Sequence, residues 1–349
     1  MDINLFFLSN AKYGGAASYT VHLKRSFEKI GHQVNIFKVK KKTEWSPRLF
    51  SGGEYCQTIS MESAIKLANM KRKTSLITCV DFKKFDVETM MLLIAGTPIV
   101  LHSPNEYHKD LLTLLKRSNT RIVVNRLPNV KSLQDKGLDS TLILHPYIAE
   151  NKQRLPRWAD RGMAVSISRI DRGKNIEILI EANNSVDSAG GEGDYINVYG
   201  AENGVYTRHT LDKNSSCWRE DYFGKFPAEK GSAVSLCAQY KYMVDMSVID
   251  DDGDGMKYTF LEAVDAGAVC IINAEWFSGD ETVWRKGGNC LIVENVDDLV
   301  KCVNTSQALS SGIARAARKI LEDHKPETII PQFEKFLESS HNEEMETSK

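Results

Sequence analysis

The densest acidic stretch of the chain is VIDDDGDGMKYTFLEAVDAGAVCII, residues 248 to 272. A calcium loop needs oxygen ligands at fixed offsets, with a Gly at the sixth position and a bidentate Glu at the twelfth. Counted from Asp250, position twelve is Leu261, and the carboxylate of Glu262 comes one residue late. Position eight, which faces a core in calcium loops, is Lys257. The register therefore argues against a metal site here, and we expect none.

The segment YTFLEAVDAG has the pattern of a helix that follows the acidic loop. Apolar residues recur on one face, and Gly267 is typical of a helix stop. The start of such a helix offers backbone N–H groups to an anion. Asp254 lies just before the helix, and Glu262 lies eight positions later, inside it. Loop and helix together are a candidate site for an anionic substrate.

A second strand-to-helix loop, SRIDRGKN, carries two cations of interest. Arg169 follows an apolar run, and Lys174 comes five residues later. Arg offers a planar fork of donors and Lys a point charge, a combination that suits a phosphate group. The alternative interpretation is ordinary solvated charge on a loop.

Two further candidates come from the first half of the chain. Gly14 and Gly15 stand between an apolar run and a helical pattern, where bare backbone can approach an anion. Their spacing is not G-x-G-x-x-G, so no dinucleotide fingerprint is present, and a plain tight turn is the alternative. His102 ends the apolar run IVLH, from which its side chain can reach a ligand, although a lone His is more often structural. His145, in a similar setting, is interpreted as structural.

These loops alternate with apolar runs of strand length and with helical patterns, which predicts parallel sheets covered by helices. The rhythm restarts after a polar, Pro-containing link at 149–162. We therefore predict an α/β fold with two doubly wound, Rossmann-like domains facing across a cleft. Residues 1–150 and 151–325 form the two domains, and 326–349 form a C-terminal helix that packs back on the first domain and frays at its end. The predicted strands are INLFFLS, QVNIFKV, SLITCV, PIVLHS, RIVVN, TLILHP, MAVSISRI, YINVYG, DYFGKF, DMSVI, AVCIIN and NCLIVE.

Composition excludes several classes of protein. The chain has 349 residues, of which 42% are hydrophobic and 26% charged, so a disordered protein is excluded. No apolar run approaches the length of a membrane span, and MDINLFFLSN is typical of a strand and not of a signal peptide. Seven cysteines without a C-x-x-C pair favour reduced thiols and a cytoplasmic location.

The small net charge of −1 hides an asymmetry. Residues 1–150 hold 22 Lys and Arg against 13 Asp and Glu, whereas the rest of the chain holds 23 against 33. The first half is therefore expected to meet a polyanion, with unselected surface charge as the alternative. Its most basic segment, FKVKKKTEWSPR, combines cations that bind phosphates with an aromatic that can stack on a base. The candidate DNA-binding residues there are Lys40, Lys41, Lys42, Trp45 and Arg48.

Taken in order, these motifs resemble those of retaining glycosyltransferases with the GT-B fold, a large group that uses nucleotide sugars. DGMKYTFLEAVDAG resembles the family's E-x7-E segment, SRIDRGKNIEILIEA its diphosphate loop, LHS its active-site His loop, and YGGAASYTVHLKRSFEKIGHQVNIF its N-terminal Gly loop and helix. YFGKF and RKGGNCLIVENVDDLVKCV are similar to weaker motifs that come later in the family's sequences, so the resemblance covers most of the chain. One departure is that the first acid of the pair is Asp254 and not Glu, which shortens its reach.

The resemblance implies roles for the residues around the leaving nucleotide. Glu262 would hold the ribose hydroxyls of a nucleoside diphosphate, with UDP the expected one. Arg169 and Lys174 would neutralise the departing diphosphate, helped by N–H groups near Tyr258 and Thr259. Fixed cations and a helix dipole would then meet the developing charge. No cofactor or metal is expected.

The resemblance also implies roles around the transferred sugar. Gly14 and Gly15 would let the backbone approach the diphosphate from the other domain, and His102 and Asp254 would contact the sugar. In this family the new bond keeps the donor's anomeric configuration, so the carboxylate-pair logic of glycoside hydrolysis does not apply to Asp254 and Glu262.

For the acceptor, LKRSFEKIGHQVNIF and KYTFLEAVDAGAVCII are similar to segments of the T-even bacteriophage enzymes that glycosylate 5-hydroxymethylcytosine in DNA. This implies double-stranded DNA as partner, with glucose or a pentose such as arabinose as the sugar. We expect a monomer that does not bind membranes. Two alternatives remain open: a bacterial envelope polysaccharide or lipid glycosyltransferase, and an inactive DNA-binding relative.

Overall fold

The computed structural model describes the chain apart from residues 10–13, 41–43, 71–72, 82–84, 86, 103–108, 150–154, 189–195, 215–217, 227–231, 249–255, 277–282, 305 and 347–349, and apart from the side chains of 45, 187, 188, 232 and 339–346. It divides into two compact units. The first unit is Met1–Ile148 together with Glu322–Lys349, and the second is Ala149–Leu321.

The first unit is built on an eight-stranded sheet with the strand order β3-β4-β2-β1-β5-β6-β7-β8. All neighbouring strands are parallel except β3, which runs antiparallel to β4 at one edge. The strands are β1 Asp2–Leu8, β2 Gln33–Lys40, β3 Glu44–Leu49, β4 Tyr55–Ser60, β5 Thr74–Val80, β6 Ile99–Leu101, β7 Ile122–Val124 and β8 Thr141–Leu142. The helices of this unit are α1 Gly15–Lys29, α2 Met61–Ala68, α3 Val87–Ile94, α4 Lys109–Ser118, α5 Leu127–Gln134 and, at the end of the chain, α14 Pro326–Glu346.

The second unit holds a five-stranded, wholly parallel sheet with the order β10-β9-β11-β12-β13. Its strands are β9 Gly162–Ile167, β10 Ile196–Tyr199, β11 Tyr240–Asp245, β12 Val269–Asn273 and β13 Leu291–Val293. Its helices are α6 Ile176–Ser188, α7 Gly204–Tyr206, α8 Asp212–Asn214, α9 Ser232–Cys237, α10 Tyr258–Asp265, α11 Val296–Val303, α12 Gln307–Ala317 and α13 Ile320–Asp323, whose last two residues lie in the first unit. Alternating strand and helix thus produce the doubly wound α/β fold expected from the sequence.

Ten of the predicted strands form, because a continuous apolar run buried on both faces is a strong local signal. Two predictions are wrong. DMSVI begins at Asp245, the last residue of β11, and its residues 246–248 lie beyond the strand; DYFGKF contributes only one bridge, between Tyr222 and Val198. The sequence analysis also missed β3 and β4, whose half-exposed, polar sequences lack an apolar run.

The strand order locates one topological switch point in each unit. In the first sheet the order reverses between β1 and β5, and in the second between β9 and β11. Crossovers leave these neighbouring strands in opposite directions, so a crevice opens beyond their carboxyl ends, where ligands of doubly wound sheets bind. The loops after these strands are therefore the places to look for a site.

The C-terminal helix α14 packs against α1 within the first unit. The rings of Phe27 and Phe333 meet edge to face with centroids 5.9 Å apart. Nζ of Lys29 lies 2.8 Å from a carboxylate oxygen of Glu327. The end of the chain therefore completes the first unit and not the second. In the part of the chain that is described, no helix combines the length and apolarity required to cross a membrane.

Candidate functional site

The loop after β9 presents both candidate phosphate-binding cations. Arg169 lies directly beyond the strand with its side chain 72% exposed, and Lys174 ends a short 3-10 turn that spans Arg172–Lys174. The carboxylate of Asp171 holds this turn, because Oδ1 accepts the N–H of Arg172 at 2.9 Å and the side-chain amide of Asn203 at 3.0 Å. The cations are thus displayed on a hydrogen-bonded loop at the carboxyl end of a central strand.

The loop after β9 meets the loop after β11 at the switch point of the second sheet. The N–H of Val248 donates to the carbonyl of Gly173 over 3.1 Å. On the other side of β9, the backbones of Gly200 and Ser168 are also close together. A Cβ on Gly200 would lie 1.6 Å from the carbonyl oxygen of Ser168. Only glycine fits there, so the strand ends around the cationic loop are in tight backbone contact. The start of the acidic stretch is therefore fixed against the cationic loop.

Helix α10 begins at the same edge of the sheet. Its first turn starts at Tyr258, and the N–H groups of Phe260 and Leu261 donate to the carbonyl of Lys257 at 3.1 and 3.2 Å. The side chain of Lys257, at the N-cap position, does not cap the helix. An anion can therefore meet the first-turn N–H groups that an α-helix leaves without an intrahelical partner.

The candidate substrate-binding residues of α10 fall on different parts of the helix. Tyr258 is buried, whereas Thr259 and Glu262 are partly exposed. The carboxylate of Glu262 lies near Cys237 on α9: burial raises the pKa of that thiol, and the charge of Glu262 raises it further. Glu262 thus lies one turn inside α10, close to α9.

Arg161 fixes the opposite end of α10. One guanidinium nitrogen, Nη1, donates to the carbonyls of Ala266 and Gly267, both at 3.2 Å. Gly267 has a φ of 68°, the left-handed conformation that ends helices and favours glycine. Because Arg161 is almost fully buried, its charge acts on the helix C-terminus without competition from water.

An ion pair that the sequence analysis missed lies beside the start of α10. Nζ of Lys257 is 2.7 Å from Oδ2 of Asp245, the last residue of β11, and the two side chains are 14% and 6% exposed. Burial by itself raises the pKa of Asp245, but the charge and hydrogen bond of Lys257, with Ser247 and the charge of Lys174, hold it at about 2. The carboxylate is therefore ionised at neutral pH.

A local signal for this pair existed in the sequence. Lys257 occupies the position that faces a core in calcium loops, and the structure turns its side chain inward although no such loop fits the sequence. An inward ammonium needs a buried carboxylate, and Asp245 at the end of an apolar run was available. The two residues are 12 positions apart, and the loop between them follows a path that the sequence could not reveal.

His102 lies just after β6 in the first unit and is tightly held. Its Nε2–H donates to the carbonyl of Thr78 at 2.7 Å, and its ring meets that of Tyr19 edge to face at 4.7 Å. Burial lowers the pKa of His102, although the Thr78 carbonyl and Asn125 raise it. The imidazole is therefore neutral at neutral pH and has a fixed orientation.

The same threonine connects His102 to the helix that follows the glycine loop. The hydroxyl of Thr78 lies 2.8 Å from that of Thr20 on α1, in the buried interior. Gly14 precedes α1 with a φ of 106°, a conformation that requires glycine, and Gly15 is its first residue. A Cβ at either glycine would have no described atom within 4 Å. The two glycines thus border open space at the switch point of the first sheet.

The basic segment has a different arrangement from the one expected. Lys38 is buried above the ring of Phe7, so it cannot serve a surface. Lys40 and Arg48 both pair with Glu44, the first residue of β3, at 3.1 and 2.5 Å. Lys40 and Arg48 therefore share the carboxylate of Glu44. This pairing was not predicted from the sequence.

Several candidates fall where the structure gives no description. Asp254, Lys41 and Lys42 lie outside the described residues, and so does the side chain of Trp45, whose backbone is part of β3. The acidic run from Asp250 is likewise outside them. Within the described ranges, no group of three or more His, Cys, Asp or Glu side chains is arranged to hold a metal ion.

Comparison with known proteins supports the fold independently of these motifs. No protein-family model matches the chain, and no curated protein matches it. Solved structures match over nearly the whole length. An alpha-glucosyltransferase in complex with UDP-glucose and DNA containing an abasic site is 12% identical, with a TM-score of 0.72, and the alignment covers 97% of this chain and 99% of that one.

Two bacterial structures match to a similar extent. HepE from Anabaena, in complex with UDP, is 13% identical with a TM-score of 0.68, covering 97% of this chain and all of its own. TarM from S. aureus, in complex with fondaparinux, alpha-GlcNAc-glycerol and UDP, is 11% identical with the same TM-score and coverage of 97% and 100%. At these identities the likeness concerns the fold, and the fold of this chain is that of the GT-B glycosyltransferases.

Proposed function

We propose that the chain is a retaining glycosyltransferase that moves a sugar from a UDP-sugar to 5-hydroxymethylcytosine in double-stranded DNA, without a metal. The observation that carries the proposal is the junction in the second unit. There the loop with Arg169 and Lys174 is hydrogen-bonded to the loop after β11, at the switch point where doubly wound sheets bind ligands. The start of α10, which its N-cap residue Lys257 does not cap through its side chain, follows that loop.

This junction suits a leaving diphosphate. When the bond between the sugar's anomeric carbon and the diphosphate breaks, negative charge develops on the diphosphate oxygens. Arg169, Lys174 and the first turn of α10 meet that charge with fixed dipoles and cations. The acceptor hydroxyl attacks the same face of the sugar, and its proton passes to the departing diphosphate. Glu262 holds the ribose hydroxyls of the nucleotide.

The two side chains proposed to contact the sugar, unlike those proposed for the diphosphate, are not cations. His102 is neutral at neutral pH and fixed by the Thr78 carbonyl, so it serves as an oriented, uncharged group. Asp254 is the proposed acidic contact of the sugar. The backbone at Gly14 and Gly15 is proposed to approach the diphosphate.

Duplex DNA is the proposed acceptor for two reasons. The segment around β2 and β3 places Lys40 at the end of β2 and Arg48 on the edge strand β3, both partly exposed or exposed, where cations can meet phosphates. Among the solved structures with this fold are alpha-glucosyltransferases in complex with UDP and DNA. HepE in complex with UDP, and TarM in complex with fondaparinux, alpha-GlcNAc-glycerol and UDP, share the fold to nearly the same degree, so a bacterial envelope polysaccharide or lipid stays the second candidate acceptor.

The test of function is a transfer assay with radiolabelled UDP-sugars. The acceptors are duplex DNA with 5-hydroxymethylcytosine, the same duplex with cytosine, and a bacterial lipid and polysaccharide extract. We expect label only in the hydroxymethylated duplex, in the α configuration for UDP-glucose and equally in the presence of EDTA. Label in the extract alone would establish the second candidate. Absence of UDP release under every condition would identify an inactive relative.

A variant pair links the activity to the junction. Changing Arg169 and Lys174 together to Ala is expected to lower transfer by roughly a hundredfold or more, because the leaving charge loses its two cations. Arg172, an exposed cation of the same turn, provides the matched control. Arg172→Ala is expected to retain transfer within about threefold. Equal losses of transfer activity in the two variants would contradict a specific role for Arg169 and Lys174.

A further inference from the structure

The buried pair of Asp245 and Lys257 has no role in the chemistry described so far. Charged groups are rarely buried, and they are costly to bury unless paired. Here the ammonium contacts the carboxylate at 2.7 Å and lies 3.9 Å from the ring centroid of Trp276, with the ring of Phe260 at 5.4 Å. Two aromatic faces and one carboxylate thus enclose a single ammonium. Such an enclosure fixes the position of the residue that carries it.

Both oxygens of the carboxylate are engaged. Oδ2 of Asp245 accepts from Lys257, while Oδ1 accepts the backbone N–H of Ser247 at 3.0 Å and its hydroxyl at 2.5 Å. The carboxylate is therefore attached to the end of β11 and to the first residues of the loop beyond it. Because three donors hold the carboxylate of Asp245 in place, the carboxylate in turn fixes the position of the Lys257 ammonium.

The pair connects the two elements proposed to bind the donor diphosphate. On one side, the carbonyl of Lys257 accepts the N–H groups that close the first turn of α10. On the other side, the charge of Lys174 acts on Asp245, and Val248, three residues beyond it, is bonded to the cationic loop at Gly173. The ammonium of Lys257 is occupied by its partner, so a direct contact with phosphate would require breaking the pair.

We propose that Asp245 and Lys257 are positioning residues for the donor nucleotide: their buried ion pair holds the first turn of α10 and the cationic loop in register so that both reach one diphosphate. This inference rests on the proposed function of the junction and adds to it a pair of residues that do not touch the substrate. Their loss should affect binding of the donor far more than binding of the acceptor.

The test measures binding of UDP and steady-state kinetics in variants of the full chain. Lys257→Met shortens the unbranched side chain by one atom and removes its charge. We expect its Kd for UDP and its KM for the UDP-sugar to rise roughly tenfold or more, since a displaced contact of about 1 Å has effects of this size. The KM for DNA should stay within about twofold. Lys257→Arg, which keeps the charge and the aromatic contacts, should recover most of the affinity.

A matched control separates positioning from general stability. Lys301 on α11 forms an exposed ion pair with Asp298 in the same unit, at 3.7 Å. Lys301→Met should leave UDP binding unchanged. If Lys257→Met does not fold, the double variant Asp245→Asn with Lys257→Met removes the uncompensated charge and supplies the measurement. We expect the double variant to bind UDP at least fivefold more weakly than the natural chain.

The outcomes distinguish the inference from the proposed function. Folded Lys257→Met, or the double variant, with unchanged UDP affinity would overturn the positioning role while leaving a working transferase. Equal rises of the donor KM and the DNA KM would overturn it as well, because a general loosening of the protein has no preference for the donor. A natural chain that neither binds UDP nor transfers sugar would overturn the proposed function itself.

Discussion

Two carboxylates of this molecule are held by cations in opposite surroundings. Glu44, at the edge of the first sheet, is 32% exposed and is shared by Lys40 and by Arg48, whose side chain is 60% exposed. Asp245, at the end of β11, is 6% exposed and pairs with Lys257 under aromatic rings. Coulomb attraction is weak in water and strong in a protein interior, where losing one partner leaves a charge unsolvated.

The exposed and the buried ion pairs suit different functions. Cations held by an exposed carboxylate can exchange it for a phosphate at small cost, because water screens both states. Cations held in the interior have no such alternative and instead fix the backbone around them. The first arrangement suits a surface that binds and releases DNA, and the second suits a site that must keep its geometry. Four predictions test this contrast.

The largest expected effect is on the stability of the second unit. Lys257→Met leaves Asp245 ionised and unpaired in the interior, so the free energy of unfolding should fall by about 3 to 5 kcal/mol. Lys40→Met, which removes a cation from the exposed cluster, should not measurably move the unfolding midpoint. Urea unfolding followed by tryptophan fluorescence and circular dichroism measures both. Similar shifts in the two variants would abolish the contrast.

The second prediction concerns the basic segment that follows β2. Changing Lys40, Lys41 and Lys42 together to Ala should weaken binding of duplex DNA about tenfold or more at low salt. The slope of log K against log salt should fall by up to about 2.7, because each phosphate contact contributes about 0.9. Fluorescence anisotropy at several salt concentrations measures both quantities.

A control triple variant tests whether net charge alone explains the loss. Changing Lys66, Lys131 and Lys136 together to Ala removes the same charge from other parts of the first unit. This control should change the affinity by less than about twofold. An equal loss in the two triple variants would assign DNA binding to the overall charge and not to the basic segment.

The third prediction uses pH to isolate the buried carboxylate. The pKa of Asp245 in the folded chain is about 2, against an ordinary value of 3.8. A depressed pKa contributes stability that is present above the ordinary value and is lost as the pH falls through the folded one. The advantage of the natural chain over Asp245→Asn should therefore shrink by roughly 1 kcal/mol between pH 5 and pH 3. A constant difference over this range, measured by urea unfolding, would contradict the ionised, paired state.

Much of the fold and part of the site could be predicted because their signals are local. Apolar runs flanked by turn residues specify most strands, and a Gly after a periodic segment specifies the end of α10. The cations at Arg169 and Lys174 were found because strand-to-helix loops can be recognised from these same runs. Neighbouring parallel strands end at the same edge of a sheet. The strand order therefore brings the loop after β9 next to the loop after β11.

The pairs that hold these loops could not be predicted because they depend on contacts between distant positions. Asp245 and Lys257 are separated by a loop, and although Lys257 occupies a position that faces a core in calcium loops, nothing in its neighbourhood identifies Asp245 as its partner. The strands β3 and β4 are partly exposed and polar, so their pairing rests on hydrogen bonds that carry no compositional signal. For this reason the pairing of Glu44 with Lys40 and Arg48, inside the predicted basic segment itself, was not expected.

The smallest expected effect comes from Glu44 itself. A hydrogen bond from Lys40, together with the charge of Arg48, lowers the pKa of Glu44, so the carboxylate is ionised and competes with phosphate for both cations. Glu44→Gln keeps the shape but removes the charge, and we expect DNA affinity to rise about three- to fivefold at low salt, with a salt slope steeper by up to about 1.8. Glu62→Gln, which breaks an exposed pair with Lys66 on α2 at 2.7 Å, is the matched control and should have little effect. If both variants raise affinity equally, the gain reflects net charge, and Glu44 has no specific hold on the DNA-binding cations.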